Sequence, residues 1–327
     1  MTEVAKNHRV NPYVFFVGCP RSGTTLLRRI GDAHPDLAIV HQTRWIARTF
    51  EERRRLTKGG FVTPGLIDRM RDPRRLRRLK MDEADLENIF PNGAAVHFSS
   101  FVTALFDLYG ERRGKPLAGD KSPGYVRYLP LLHELWPKAR FVHIIRDGRD
   151  VCLSVLDWGK GPTRLSTFRD DPVTTTAVWW EWYVRLGLEG ATRIEAGLCH
   201  ELRYECLVAD PERECLRLCE FLKIGYDGRM LRFHEGRTQS KSGLSTKASW
   251  LPVTSGLRDW RTAMEPDDVV RFDSAAGDLL EELGYPRAAP SLPKRALERA
   301  ARIRERFVEH ALDRHRPVPD AWRWAAR

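Results

Sequence analysis

No stretch of this sequence approaches the roughly 18 uninterrupted apolar residues that a membrane-crossing helix needs. The opening "MTEVAKNHRVNP" holds no apolar segment of the kind that marks a secretory leader. A soluble, cytoplasmic protein is the expectation. Cysteine is sparse: six, at 19, 152, 199, 206, 215 and 219, with no CxxC pair and no His/Cys cluster of metal-ligand spacing. Free thiols in a reducing compartment are expected, not disulfides or a metal site. Internal repeats are absent, as are helix-turn-helix, zinc-finger and RNP-like patterns, so nucleic acid is not an expected partner.

Acidic residues are the minority charge. Asp+Glu number 44 against 55 Lys+Arg, for a net charge of +11. The excess is not gathered in a tail, and its densest run, at residues 69–80, is followed closely by acidic residues. An anionic ligand accounts for part of the charge and solvated helix faces for most of the rest. Hydrophobic residues make up 42% of the 327, enough for a full core, and the length fits one α/β domain carrying insertions.

Continuous apolar runs at 13–17 and 140–145 read as buried parallel strands, with further short strands at about 116–119 and at 199–203. Helical spacing runs from Thr24 to about Ala33, over 127–137, over 173–196 and from about 211, with a loop through Tyr204. Residues 265–283 and 294–314 are further predicted helices, joined by a linker, "APSLP". The alternation predicts an α/β fold: a P-loop-like parallel sheet flanked by helices on both faces. It forms a single domain over 1–290, with a helical insertion at about 41–116, followed by a C-terminal helix and tail at 291–327. Three places are open to that helix: against the sheet, at a homodimer contact, or at an acceptor mouth. Residues 236–256, rich in Ser, Thr, Gly and Lys, are expected to form a mobile loop over the site.

"GCPRSGTT", Gly18–Thr25, has the length and flanks of a phosphate-binding P-loop but not its lysine. Thr24 stands in the lysine position, Thr25 follows it, and the cation is Arg21 inside the loop. No metal-holding Asp opens the turn after the 140–145 strand, which continues "RDGRD". A metal-dependent phosphoryl transferase is therefore disfavoured. Arg and Lys side chains, with backbone N–H groups at a helix start, could balance an anion instead. Arg146, at a strand's carboxyl end, and Ser154, eight residues on, can hold a monoester phosphate; the competing role is structural pairing of Arg146 with Asp147 or Asp150. In α/β sheets both loops face one crevice.

"PRSGTT" and "RDGRDVCLS", in this order and placement, resemble the sulfotransferases that use 3′-phosphoadenosine 5′-phosphosulfate (PAPS). "GDKSP" and "HIIRDGRDV" are similar to the bacterial branch; the Arg-bearing loop, "AHPD" and "TR" are similar to tyrosylprotein sulfotransferases. The resemblance implies that Arg21, Ser22, Gly23, Thr24 and Thr25 wrap the 5′-phosphosulfate. It implies that Arg146 and Ser154 hold the 3′-phosphate, that Lys121 reaches the transferring sulfuryl group, and that Tyr204 lies on the adenine side. In "SGLRDW", Ser255 and Arg258 are the candidates for closing over the 3′-phosphate. PAP (3′-phosphoadenosine 5′-phosphate) is the implied product, and no metal is required.

The resemblance breaks at "VHQTR". The tyrosylprotein branch has a glutamate just before "TR"; here Gln42 stands there, and an amide is no base. His41 and Asp120 are the candidate proton acceptors, and an amine acceptor would relax the need for one. Arg44 and Arg48 match positions that meet acidic substrate in the peptide-modifying branch, and Trp45 and Trp179–Trp182 are either acceptor lining or core. The acceptor is expected to be a small molecule (secondary metabolite, carbohydrate or lipid), with a peptide side chain left open. Two other classes compete: a P-loop kinase of a small metabolite, and a non-catalytic basic binding protein.

Overall fold

Short runs of β-branched and aromatic residues build one parallel sheet in the computed structural model, which describes residues 10–51, 57–91, 94–159, 161–163, 165–235, 251–254 and 256–322. In chain order the strands are β1 (Val14–Gly18), β2 (Leu37–His41), β3 (Thr57–Lys58), β4 (Phe61–Val62), β5 (Leu117–Lys121), β6 (Arg140–Ile145) and β7 (Cys199–Arg203). The main sheet has the order β2-β5-β1-β6-β7, every pairing parallel. β3 and β4 make a separate hairpin, whose turn uses Gly59 and Gly60 at φ 60° and 85°.

Alternate residues of each strand feed two cores, as helices on both faces require. Phe15, Val17, Ala38, Val40, Phe141 and Ile145 join the larger core; Val14, Phe16, Leu37, Ile39, Val142 and Ile144 join the smaller. Ten helices matter here: α1 (Thr24–Ala33), α2 (Trp45–Glu51), α3 (Pro73–Leu79), α4 (Leu129–Leu135), α5 (Gly148–Trp158), α6 (Pro172–Ala191), α7 (Tyr204–Ala209), α8 (Pro211–Leu222), α9 (Pro266–Glu282) and α10 (Lys294–Asp313). Three of them start with Asp-Pro. Asp72, Asp171 and Asp210 each accept a hydrogen bond from the N–H two or three residues on, and the proline at the first helical position needs no such partner.

The α/β expectation holds. Its details shift in four places. β2 was not foreseen. The 127–137 helix is a 3₁₀ turn, Pro123–Tyr128, running into α4. The 173–196 helix stops at Ala191. Tyr204 opens helix α7 where a loop was expected. Helix α6 lies at the centre of the larger core with Trp180 and Trp182 wholly buried; both rings pack in the core, Trp182 also carrying the Arg127 guanidinium over its face. Trp45 is buried too, edge-on to Phe98. Helix α10 buries Ala300, Ile303, Phe307 and Val308 within the same core.

Candidate functional site

All the sheet's carboxyl ends point one way, and the candidate residues sit on them. His41 ends β2, Lys121 ends β5, Gly18 ends β1, Arg146 follows β6 and Tyr204 follows β7. Strand register sets His41 and Phe16 on either side of Lys121. A separate cleft at the amino ends, lined by Asn11, Asp107, Lys115 and Pro116, is away from these groups.

The loop after β1 depends on its glycines. Gly18 and Gly23 hold φ of 148° and 93°; a Cβ on Gly18 would overlap the Ile144 carbonyl, and one on Gly23 the Tyr204 ring. Gly23 caps α1 with no side-chain hydrogen bond, so the first N–H groups of that helix are left for a ligand. Arg21, itself at φ 79°, turns out of the loop and donates from Nε to Ser154 Oγ at 2.9 Å. Its guanidinium lies 5.1 Å from the Trp158 ring centre. Ser22 Oγ is buried with no regular hydrogen-bond partner among the described residues, and Thr24 is buried beside it.

Arg146 is buried, pairs with Asp150 at 3.1 Å and lies 4.2 Å over the Tyr204 ring. Its Nε is buried without a hydrogen-bond partner among the described residues. Asp150 also accepts the Trp260 N–H at 3.0 Å, and Arg258 pairs with Asp157. Burial first, then the like charges of Arg258 and Arg146, push the Arg21 pKa down. Three guanidiniums thus crowd one corner of the crevice, an arrangement that an anion would relieve. Arg149, in the same "RDGRD" run, is different: wholly buried, it forks onto Asp147 and caps the Pro286 carbonyl as structural glue. Ser255 lies outside the described residues, as does most of the 236–256 segment.

Lys121 is fully buried, 3.4 Å from Thr25 Oγ1. Burial foremost, then Arg28, lowers its pKa to about 7 against the pull of Asp120, with smaller contributions from Arg44 and Arg29. His41 is exposed at its rim. Desolvation, then Lys121, Arg28, Arg78 and Arg44, hold its pKa down at about 3, so the ring is neutral. Asp120 is wholly buried and accepts the Thr43 N–H at 3.0 Å. Burial pushes its carboxyl up to about 6, against the pull of Ser122, Thr43 and Lys121. Thr43 also shares a 2.7 Å hydrogen bond with Tyr125, whose hydroxyl takes the Ile46 N–H. This network braces a turn in which Gln42 and Arg44 both adopt positive φ, 59° and 57°. Gln42 Oε1 is engaged by Arg44, and its carbonyl by Arg78 of α3.

The structure therefore brings Arg21, Ser154, Arg146, Tyr204 and Arg258 into one cluster, and His41, Lys121 and Thr25 into another. It sets Asp120 behind the turn, out of reach of solvent. Sequence reasoning did not single out Trp158 or the Thr43–Tyr125 brace; an Arg with an aromatic at the end of the next helix was the available signal for the first.

The model of the "Sulfotransferase family" matches residues 12–228. The chain belongs to that family. It is 27% identical over 289 residues to protein-tyrosine sulfotransferase A of Caenorhabditis elegans, covering 86% of this chain and 70% of that protein. Protein-tyrosine sulfotransferase 1 of Danio rerio is 28% identical over 289 residues, covering 85% and 74%. Two solved structures share the fold. The sulfotransferase domain from the curacin biosynthetic pathway has a TM-score of 0.55 at 19% identity, over 86% of this chain and 98% of that one. The sulfotransferase domain of the Synechococcus PCC 7002 olefin synthase has 0.54 at 23%, over 88% and 98%. Of the three readings raised by the sequence, the sulfotransferase enzyme is the one the family supports. No helix among the described residues is long and apolar enough to cross a membrane.

Proposed function

We propose that the crevice binds PAPS and passes its sulfuryl group to an acceptor hydroxyl. The single observation that carries this reading is the crowding of Arg146 and Arg258 around Arg21, which donates to Ser154, with Arg146 Nε left without a partner among the described residues, beside a helix start that offers free N–H groups. Arg21 was expected on the 5′-phosphosulfate; because its Nε donates to Ser154 Oγ, it is read instead with Arg146 and Ser154 on the 3′-phosphate side, with Tyr204 on the adenine side. The loop N–H groups, Ser22, Thr24 and Thr25 take the 5′-phosphosulfate. The acceptor oxygen attacks sulfur in line, the bond from sulfur to the bridging oxygen breaks, and that oxygen keeps the electron pair in PAP. Lys121 and the start of α1 stabilise the charge that grows there.

His41 is the proposed proton acceptor. It is neutral, exposed and across the strand register from Lys121. A bound anion would offset the cations that depress it and raise its proton affinity. Asp120, wholly buried, positions the turn. The acceptor is read as a small molecule with a hydroxyl, and the six unpaired cysteines fit a reducing, cytoplasmic setting.

Calorimetry with PAP in the presence of a chelator tests the donor site. We expect binding in the wild type and a loss of about 10-fold or more in Arg21→Ala and in Arg146→Ala, the scale of one charge-assisted hydrogen bond. No PAP binding by the wild type would overturn the reading.

A further inference from the structure

A second pair of cations faces the crevice and plays no part in the donor site. Arg127, at the end of the 3₁₀ turn that follows Lys121, is ringed by aromatics: 5.1 Å from the Tyr128 ring centre, 5.1 Å from Trp182 and 5.6 Å from Tyr183. Its Nε donates to the Gly124 carbonyl at 3.1 Å, and it has no acidic partner among the described residues. The chain's last segment comes back to this spot. Trp182 Nε1 donates to the Pro317 carbonyl at 2.9 Å, which seats the half-buried Arg316 beside the same rings. Arg316 also lacks a carboxylate partner among the described residues. Burial and, next, the charge of Arg127 lower its pKa, so the two guanidiniums repel across a partly desolvated space.

The position matters. Gly124 lies three residues beyond Lys121, and a Cβ there would sit 3.3 Å from Arg127 Nη2 and 3.9 Å from the Tyr183 hydroxyl. That hydroxyl in turn feels Arg127, Cys19 of the phosphate loop, Arg316 and Arg44. The pair therefore borders the crevice at the carboxyl end of the sheet, where the turn after Lys121 and the loop after β1 both approach Tyr183. Two like charges held together without a counter-charge, on rigid aromatic walls, form a built receptor for an oxyanion.

Resting on the sulfotransferase reading above, we propose that Arg127 and Arg316 bind an oxyanion carried by the acceptor, a carboxylate being the simplest case. The acceptor is then an anionic hydroxyl compound, and the C-terminal segment is part of its site.

The test uses the full chain saturated with PAP, which fills the donor arginines. Binding is titrated for two matched pairs: 4-hydroxyphenylacetate and its methyl ester, and 3-(4-hydroxyphenyl)propionate and its methyl ester. We expect each acid to bind about 10-fold or more tighter than its ester, and Arg316→Ala to erase the difference while PAP affinity and the thermal midpoint hold. Equal binding of acid and ester, no binding of any probe, or a preference that survives Arg316→Ala would overturn the proposal. So would inorganic phosphate binding at this pair while acid and ester remain alike, which would mark a free-anion site. Failure of PAP itself to bind strikes the donor reading instead; the four probes are then compared on wild type and Arg316→Ala without PAP, by the same criteria.

Discussion

At the scale of single residues, the crevice is defined by charges that the fold has partly withdrawn from water. Lys121 is the sharpest case. Its pKa, about 7 instead of 10.5, leaves a large neutral fraction at physiological pH in the free protein. An anion beside it favours the cation, so the pKa rises on binding and the complex takes up protons. Donor affinity should therefore be strongest below pH 7 and fall as pH rises through that value. At pH 8, PAP titrations in two buffers of different ionisation enthalpy should report uptake of up to about one proton. Lys121→Met should remove that uptake; identical heats in both buffers for the wild type would refute the assignment. Gly23 gives a second prediction. Its φ of 93° and its contact with Tyr204 leave no room for a side chain, so Gly23→Ala should distort the cradle and weaken PAP binding by about 10-fold or more, with about 1–3 kcal/mol lost from stability. Wild-type affinity in that variant would show that the loop does not need this conformation. His41→Asn should cut turnover while leaving PAP affinity unchanged; unchanged turnover would remove His41 as proton acceptor.

At the scale of elements, the sequence was legible where apolar runs were long and bounded. β1, β6 and β7 stand where "YVFFV", "FVHII" and "CHELR" placed them, because a buried parallel strand leaves a continuous apolar signature or a short run closed by a turn. β2 was missed for a physical reason. "LAIVH" is five residues long, lies between a helix stop and an insertion, and carries no turn signal after it, so periodicity cannot separate it from more helix. The same limit hid what Arg149 does. From sequence, the two arginines of "RDGRD" look alike at the start of a helix. In the fold, Arg146 faces the crevice while Arg149 points inward to Asp147, with Asp273 at 3.7 Å and the Trp260 ring 3.7 Å away. Only tertiary packing of α9 and the "RDW" segment decides between them. Arg149→Met should thus cost about 3–5 kcal/mol in urea unfolding, because it strands buried carboxylates. Arg146→Ala, which leaves Asp150 the Trp260 N–H, should cost less stability than Arg149→Met and much PAP affinity. A reversal of these two effects would mean that the glue and the ligand residue have been exchanged.

At the scale of the whole molecule, a net charge of +11 says little until the pairs are struck out. Many arginines are spent on neighbours, such as Arg112 on Asp85, Arg185 on Glu181 and Glu282, and Arg287 on Asp278. Arg21, Arg146 and Arg258, and separately Lys121, are left beside like charges at the carboxyl end of the sheet, so a diffuse composition still gives a locally positive crevice. The topology adds the last contributor. After α10 packs on the core, the tail crosses the molecule and is pinned by Trp322, buried and edge-on to Phe307, and by the Trp182–Pro317 hydrogen bond. Those anchors lie outside the donor site, yet they fix where Arg316 can be. Trp322→Ala removes a buried ring, at a cost of about 3–5 kcal/mol if the tail stays docked and less if it lets go. If it lets go, the thermal midpoint should move little, PAP affinity should hold, and the preference for acid over ester probes should disappear as in Arg316→Ala. A variant that loses the tail anchor, keeps its fold and still discriminates acid from ester would show that the C-terminal segment has no part in acceptor choice.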